Sequence, residues 1–150
     1  MQTRTYRQQH TKLLEQVAEL KDIIGQKEFS KRESEIIQKL SELSGVLKLH
    51  LKLEDENLYP ALRTHKNEAV REMAARYARE MGGLSEAFTN YRTKWLRLGA
   101  ITAEPQKFVE ESINVFSALG ARIDREDTEL YALVDRLLIV VTPSASTSDN

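Results

Sequence analysis

Apolar residues recur in alternating steps of three and four along four segments of the chain, which is the spacing of one face of a helix. The seam of the first segment carries Tyr6, His10, Leu13, Val17, Leu20 and Ile24. The second seam carries Ile36, Leu40, Leu43, Leu47, His50, Glu54 and Leu58. The third carries Tyr77, Met81, Leu84, Phe88, Tyr91, Trp95 and Leu98. The fourth carries Phe108, Ser112, Val115, Leu119, Arg122, Glu126, Leu130, Leu133 and Leu137. The pattern therefore predicts four long amphipathic helices.

Short stretches between the segments predict where these helices begin and end. Gly25 is suited to stop the first helix. Ser30 and Glu33 have the spacing of a capping box that would start the second helix. Residues 64–67 and 99–105 form the remaining connections. Four long helices with connections this short favour an all-α, up-down-up-down antiparallel four-helix bundle.

One such bundle accounts for nearly the whole chain. The 150 residues are enough for one domain with a sizeable core. We assign residues 1–142 to the bundle. Residues 143–150 read Pro-Ser-Ala-Ser-Thr-Ser-Asp-Asn, and this composition predicts a disordered tail.

Charge and composition narrow the classes of partner. The net charge of −1 leaves no basic excess to neutralise a phosphate backbone, so we expect no nucleic-acid partner. The chain has no cysteine, which excludes disulfides and thiolate metal sites. No apolar run approaches the roughly 20 residues of a membrane span, and the polar start lacks a signal-peptide pattern. We expect a soluble, cytoplasmic protein without a membrane partner, and assembly with a second copy or with another protein stays open.

A short pattern occurs twice in the chain and relates its two halves. Residues 54–59 read Glu-Asp-Glu-Asn-Leu-Tyr, and residues 126–131 read Glu-Asp-Thr-Glu-Leu-Tyr. The recurrence predicts two helical hairpins related by an approximate two-fold axis. The same offset places His50 of the first half opposite Arg122 of the second.

Two imidazole and two carboxylate side chains interrupt the apolar seams. They are His10, His50, Glu54 and Glu126, here called the core quartet. A buried carboxylate needs a cationic partner, a metal or a proton. His50 and Glu54 lie one helical turn apart, so both can bind the same ion, and imidazole with carboxylate suits iron, zinc or manganese. The offset that relates the halves places Gly82 opposite His10.

The run from His50 to Pro60 resembles the His-x-x-x-Glu…Leu-Phe/Tyr-Pro signature of hemerythrin-like, or HHE cation-binding, domains. His10 resembles the histidine ligand that this family carries on its first helix. Residues 126–131 resemble its carboxylate motif on the fourth helix. The resemblance covers the chain from about residue 6 to 137. It implies a four-helix bundle with a non-haem di-iron site that binds oxygen or senses iron, oxygen or redox state.

By position in the family, the two histidines of the core quartet would be terminal ligands and its two glutamates would be bridges. The chain departs from the family on the third helix, where Glu80, Met81, Gly82 and Gly83 stand near the place of a histidine. It departs again on the fourth helix, where Arg122 replaces a histidine. We therefore expect no full di-iron centre and no oxygen binding.

Two outcomes remain open for the incomplete site. In one, the core quartet holds a single iron, zinc or manganese ion, with Glu80 or water completing the shell. In the other, the site is empty and its polar groups pair with each other. In both, we expect Arg122 to lie between Glu54 and Glu126 and to supply the positive charge of the missing second metal.

These outcomes correspond to two functions. The first is a non-enzymatic, hemerythrin-like protein that binds or senses metal through an at most mononuclear site. The second is a metal-free regulatory or protein-interaction module that keeps the bundle. We expect no enzyme, because no nucleophile motif or phosphate-binding glycine loop occurs and no histidine follows a glutamate by three positions. For Gly82 and Gly83, close packing against a neighbouring helix is favoured over a gap beside the site.

Overall fold

The computed structural model describes residues 3–137, and this part of the chain is helical without any strand. A 3₁₀ turn spans Phe29–Arg32, and π-helical segments span Glu54–Leu58 and Glu126–Leu130. The α-helices are α1 (Arg4–Ile24), α2 (Glu33–Leu53), α3 (Tyr59–Arg63), α4 (Glu68–Trp95), α5 (Ala100–Ala103), α6 (Pro105–Arg125) and α7 (Tyr131–Arg136).

These elements form the four columns of an up-down-up-down bundle. The first column is α1, the second is α2 continued through a π-helical segment into α3, and the third is α4. The fourth is α6, continued in the same way into α7. Helix α1 packs against α2 and α6, and α4 packs against α3 and α6, which closes the bundle. The expected all-α bundle is therefore confirmed.

The two π-helical segments occupy the two copies of the repeated sequence pattern. In each, the backbone N–H of the closing tyrosine donates to the carbonyl of the opening glutamate, from Tyr59 to Glu54 and from Tyr131 to Glu126. Pro60 follows only the first copy. Because both copies have the same geometry, Pro60 is not its cause. π-Bulges frequently mark functional sites, and here each opens on a carboxylate of the core quartet.

The second π-helical segment changes which residues of the fourth column face the core. The regular seam predicts Leu133 and Leu137 inside, but Val134 is fully buried while Leu137 is 39% exposed. A π turn takes one residue more than an α turn, so the inward face moves by one position after Leu130. The prediction was wrong there because it assumed an uninterrupted α period.

The predicted capping box at the start of the second helix does not form. Ser30 lies inside the 3₁₀ turn, and α2 begins at Glu33 with no side-chain cap. The Glu33 carboxylate instead accepts hydrogen bonds from the backbone N–H groups of Gly99, Ile101 and Thr102. The carboxylate thereby pairs with backbone N–H groups at the start of α5 that have no partner within their own helix.

Two apolar clusters fill the bundle, and the core quartet lies between them. Along α1, His10 separates Tyr6 of one cluster from Leu13 of the other. Along the second column, the two quartet residues lie between Leu47 and Leu58, which belong to different clusters. The site is therefore a polar layer enclosed by apolar side chains on both sides. Such surroundings strengthen electrostatic interactions within the layer.

Two further findings concern the C-terminal end of the chain and the search for membrane-spanning helices. The predicted tail at residues 143–150, and the end of the predicted domain at 142, lie outside the described residues. Within residues 3–137, no helix has the length and apolarity needed to cross a membrane.

Candidate metal centre

The core quartet converges on one point in the polar layer. One ligand atom from each of its members lies within 4.8 Å of the other three. His10 Nε2 is 3.0 Å from Glu126 Oε1, and His50 Nε2 is 3.4 Å from Glu54 Oε1. All four residues are at most 2% exposed. The residues that the sequence placed on three separate helices thus share one buried site.

The outer nitrogens of both histidine rings are held by neighbours. His10 Nδ1 lies 2.9 Å from a carboxylate oxygen of Asp127, and His50 Nδ1 lies 2.7 Å from the carboxamide oxygen of Gln9. Both neighbours offer acceptors, so each Nδ1 carries a proton and each neutral ring directs a lone pair inward from Nε2. The two Nε2 atoms are 3.0 Å apart. Two lone pairs this close require a cation or a proton between them.

Arg122 bridges the two carboxylates of the quartet. Its guanidinium donates to Glu54 over 3.3 Å and to Glu126 over 3.4 Å. A third donation, over 3.4 Å, reaches the backbone carbonyl of Met81 and ties the arginine to α4. Its side chain is only 10% exposed. Arg122 therefore lies where the repeat predicted it, between the two carboxylates.

Two tyrosines complete the polar layer, each on the carboxylate of the opposite half. The Tyr131 hydroxyl donates to Glu54 over 2.5 Å. The Tyr59 hydroxyl shares its one proton between Glu126, at 3.4 Å, and Met81 Sδ, at 3.1 Å. The sequence interpretation treated both tyrosines only as part of the repeat. Their recurrence at the same distance from each glutamate was the signal that they belong to the site.

The polar groups shift each other's protonation. Burial and the nearby Glu126 raise the pKa of Glu54. Burial also disfavours the charged form of Glu126, but hydrogen bonds from His10 and His50 when their Nε2 atoms carry a proton, together with Arg122, hold its pKa well below the usual range. Burial lowers the pKa of His50, yet the two carboxylates outweigh it and raise that pKa to about 9. The polar layer therefore favours the positively charged form of the His50 imidazole and the negatively charged form of Glu126.

Glu80 does not join the quartet. Its side chain is 42% exposed and pairs with Arg125 on the surface of the bundle. Glu80 was expected to help complete a metal shell, but in this structure its side chain points to the surface of α4, where Arg125 of α6 lies. The shell offered by the described residues consists of the core quartet alone.

The glycine pair of α4 is not closely packed. A Cβ atom built on Gly82 or Gly83 would meet no atom of the described chain within 4 Å, beyond the helix's own backbone. Gly82 lines a cavity of about 120 Å³, and Gly83 lines another of about 380 Å³ on the other side of α4. Both cavities reach Arg122. The expectation of close packing was wrong, and the glycines instead leave space beside the site.

The family model for the hemerythrin HHE cation-binding domain matches residues 1–134. The chain therefore belongs to this family. No curated protein and no solved structure gives a significant match.

The residues present fit the kind of ion that the family name implies. Two neutral imidazole nitrogens and two carboxylates form a donor set suited to iron, zinc or manganese. Both imidazoles also have the outer hydrogen-bond partner that orients a ligating histidine. The site is thus a candidate metal centre held by the core quartet, in keeping with a cation-binding domain.

Proposed function

We propose that the chain binds one metal ion through His10, His50, Glu54 and Glu126 and acts as a non-enzymatic sensor of that metal or of its redox state. The observation that carries the proposal is the pair of Nε2 atoms 3.0 Å apart, with both Nδ1 atoms engaged elsewhere. Orienting both rings in this way would be unfavourable unless positive charge is placed between them.

Arg122 supports a mononuclear site rather than a dinuclear one. Its guanidinium contacts Oε1 of Glu54, which His50 also approaches, and Oε2 of Glu126. A second metal ion close to this guanidinium would be repelled. The one pair of imidazoles in the cluster among the described residues is already used by the first ion. Arginine keeps its charge at all physiological pH values. The guanidinium therefore always supplies the positive charge that a second metal ion would otherwise supply.

The charges of the layer balance with one divalent ion. Two carboxylates, one guanidinium and one divalent ion leave a small positive excess, which the carboxylate of Asp127 offsets through His10. When bound, the ion supplies positive charge to the layer and, if it is iron, a one-electron change of that charge. The imidazole and carboxylate donors admit iron, zinc or manganese.

The positions of the ligands support sensing. His10 is the one quartet residue on α1, whereas the second column supplies two residues and the fourth supplies one. The ion would therefore couple the position of α1 to those two columns. Helix α4 supplies no quartet residue and is joined to the layer through Met81. A change in the charge of the site would act on α1 more than on α4.

The second candidate function is a metal-free regulatory or interaction module. It is favoured by the positive charge that the protein itself supplies, from Arg122 and from His50, whose pKa is raised to about 9. A proton between the two imidazoles then takes the place of the ion. In that case the polar layer serves to specify the bundle and not to bind a ligand.

Metal analysis of paired variants tests the two candidates. We expect the purified protein, produced without added metal, to contain one equivalent of iron, zinc or manganese. Elemental mass spectrometry measures this content. His10→Gln should remove it, while His65→Gln, a change at the remaining histidine of the chain, should not. Circular dichroism of each variant establishes that the bundle is retained. Anomalous scattering from crystals should place the ion between the quartet side chains.

The results distinguish the alternatives clearly. Metal retained in His10→Gln would contradict the assigned ligands. Two irons with the absorption of an oxo bridge would contradict the mononuclear site. No metal in the wild-type protein, even after incubation with each ion, would support the metal-free module instead.

A further inference from the structure

A cavity of about 120 Å³ lies beside the candidate metal centre, on the face of α4 that carries Gly82. Its lining includes Asp55, Tyr59, Met81, Ser85 and Arg122. Asp55 is exposed, and its carboxylate has no hydrogen bond or ion pair with any other described residue. The cavity therefore places a free carboxylate and a buried guanidinium around one empty volume.

The other half of the bundle shows what fills the matching volume there. His10 lies against four neighbours: its Nδ1 is 2.9 Å from Asp127, and its Nε2 is 3.3 Å from the Tyr131 hydroxyl and 3.0 Å from both His50 and Glu126. Its ring also stacks on Tyr131, with 5.2 Å between the centroids. This set of contacts describes how the scaffold holds an imidazole ring.

The repeat transfers three of these four neighbours to the cavity. With the 72-residue offset between the halves, the counterparts of His10, Asp127, Tyr131 and His50 are Gly82, Asp55, Tyr59 and Arg122. All four line the cavity, whereas Glu54, the counterpart of Glu126, does not. Three of the four neighbours of an imidazole are thus present in the second half, while the imidazole itself is absent because its position is a glycine.

We propose that this cavity is a binding site for the imidazole ring of a small heterocyclic ligand. A neutral imidazole has one N–H donor and one lone pair. The donor matches the Asp55 carboxylate, and the lone pair matches a donor of the Arg122 guanidinium. An apolar cavity of roughly 150 Å³ accommodates benzene, so a volume of about 120 Å³ suits a five-membered ring. Tyr59 provides an aromatic face.

The ring need not contact a metal in this site. Arg122 stands between the cavity and the core quartet, since it lines the cavity and also binds both quartet carboxylates. The proposal therefore holds for the protein with or without an ion. Testing it on chelator-treated protein as well as on protein as purified separates its failure from that of the proposed function.

Titration with imidazole at pH 8, followed by ¹H–¹⁵N NMR, tests the site directly. We expect saturable shifts of the Gly82 amide and of the Arg122 Nε–H, with a Kd on the order of millimolar for so small a ligand. Gly82→Leu should abolish the shifts by filling the cavity. Gly83→Leu is the matched control, because it adds the same side chain to the same helix but extends into the other cavity.

Two further comparisons test the hydrogen-bond pattern. Asp55→Ala should weaken binding about tenfold, since a hydrogen bond to a charged acceptor is lost. Glu56→Ala, at the neighbouring exposed carboxylate outside the cavity, should leave it unchanged. 1-Methylimidazole lacks the N–H donor and should bind about tenfold more weakly than imidazole.

Other outcomes would overturn the proposal. Equal shifts in wild-type and Gly82→Leu protein would mean that imidazole binds elsewhere. Binding that disappears on chelator treatment would mean that it binds an ion and not the cavity. Saturation of the same signals by nitrate but not by imidazole would make the cavity an anion site.

A further ligand separates the two possible sources of the ring. N-acetylhistidine methylamide should bind more tightly than imidazole if the natural ligand is a histidine side chain, and more weakly if it is a free heterocycle.

Discussion

The two halves of the bundle have the same scaffold and different chemistry. In both, a π-helical segment opens on a buried glutamate and closes on a tyrosine that reaches the glutamate of the other half. In both, the residue one turn before the glutamate pairs with both carboxylates, as His50 does in one half and Arg122 in the other. Their outer partners also correspond, since Gln9 accepts from His50 and the carbonyl of Met81 accepts from Arg122.

The difference shows that the second half keeps the fold without the two histidines of the first. Arg122 places a fixed charge where the first half has the imidazole of His50, so the carboxylate pair keeps a cationic partner. Gly82 replaces the counterpart of His10 with nothing, and the neighbours of that ring remain around a cavity. The polar layer stays satisfied because the long arginine side chain reaches both carboxylates. The missing imidazole leaves space instead of an unpaired buried charge.

The largest effect that separates the halves should come from Arg122→Met. In metal-free protein this change leaves two buried carboxylates with one cation fewer, which costs about 3–5 kcal/mol of the free energy of unfolding. Urea denaturation measures it. Arg125→Met, three residues further along and paired with the exposed Glu80, is the control and should change stability far less. A small effect at Arg122 would mean that the carboxylates do not depend on it.

The next largest effect should be the change in the free energy of unfolding when His50, in the first half, loses its proton. The pKa of His50 is raised in the folded protein to about 9, so its contribution to stability is fully present below the unfolded value near 6.5. It is lost as the pH rises through about 9. Metal-free protein should therefore lose up to about 3 kcal/mol across this range.

Urea denaturation at several pH values checks this expectation, and NMR titration of His50 gives its pKa directly. His50→Gln should remove that part of the pH dependence. The half that carries Arg122 should contribute none in this range, because the guanidinium stays charged. A His50 resonance that titrates near 6.5 would contradict the expectation.

The tyrosines test whether the halves are held equally. Tyr131 donates to Glu54 over 2.5 Å, whereas Tyr59 donates to Glu126 over 3.4 Å. A short hydrogen bond to a charged acceptor is worth more than a long one, so Tyr131→Phe should cost about 2 kcal/mol and Tyr59→Phe about 1 kcal/mol. Thermal unfolding measures both. Equal losses would show that the two halves are more symmetric than the distances indicate.

The smallest effect should come from the glycines of α4. Gly82→Ala and Gly83→Ala should each stabilise the protein by about 0.5–1 kcal/mol, since alanine is favoured inside a helix and a Cβ meets no neighbour within 4 Å. Gly99→Ala is the contrasting change, because Gly99 has a φ of +93° that favours glycine, and it should destabilise. Destabilisation by Gly82→Ala would restore the idea of close packing.

Much of the site could be predicted because helical periodicity is local. The spacing of apolar residues fixes which positions of a helix face inward, so His10, His50, Glu54 and Glu126 were all placed on the core side before the fold was known. The repeat added the position of Arg122. The seam failed after Leu130, where a π turn changed the period, and at Leu98, which lies beyond the end of α4 and is 78% exposed. It was also one residue off at Ile24 and Val115, where Ile23 and Phe116 are the buried residues.

The tertiary structure decided what periodicity does not contain. Asp127 and Gln9 were not expected at the site, because their roles arise from residues of other columns brought within hydrogen-bond distance. Glu80 was expected there and instead pairs with a surface arginine.

The sequence by itself thus determined a four-helix hemerythrin-like bundle with two histidines and two glutamates facing its core. Only the tertiary structure determined that Asp127 and Gln9 hold the two histidine rings and that Gly82 borders a cavity rather than a packed helix. The physical reason is that the inward direction of a side chain follows from its own helix. Its partners, and the space left around it, depend on the distances and contacts between neighbouring helical columns.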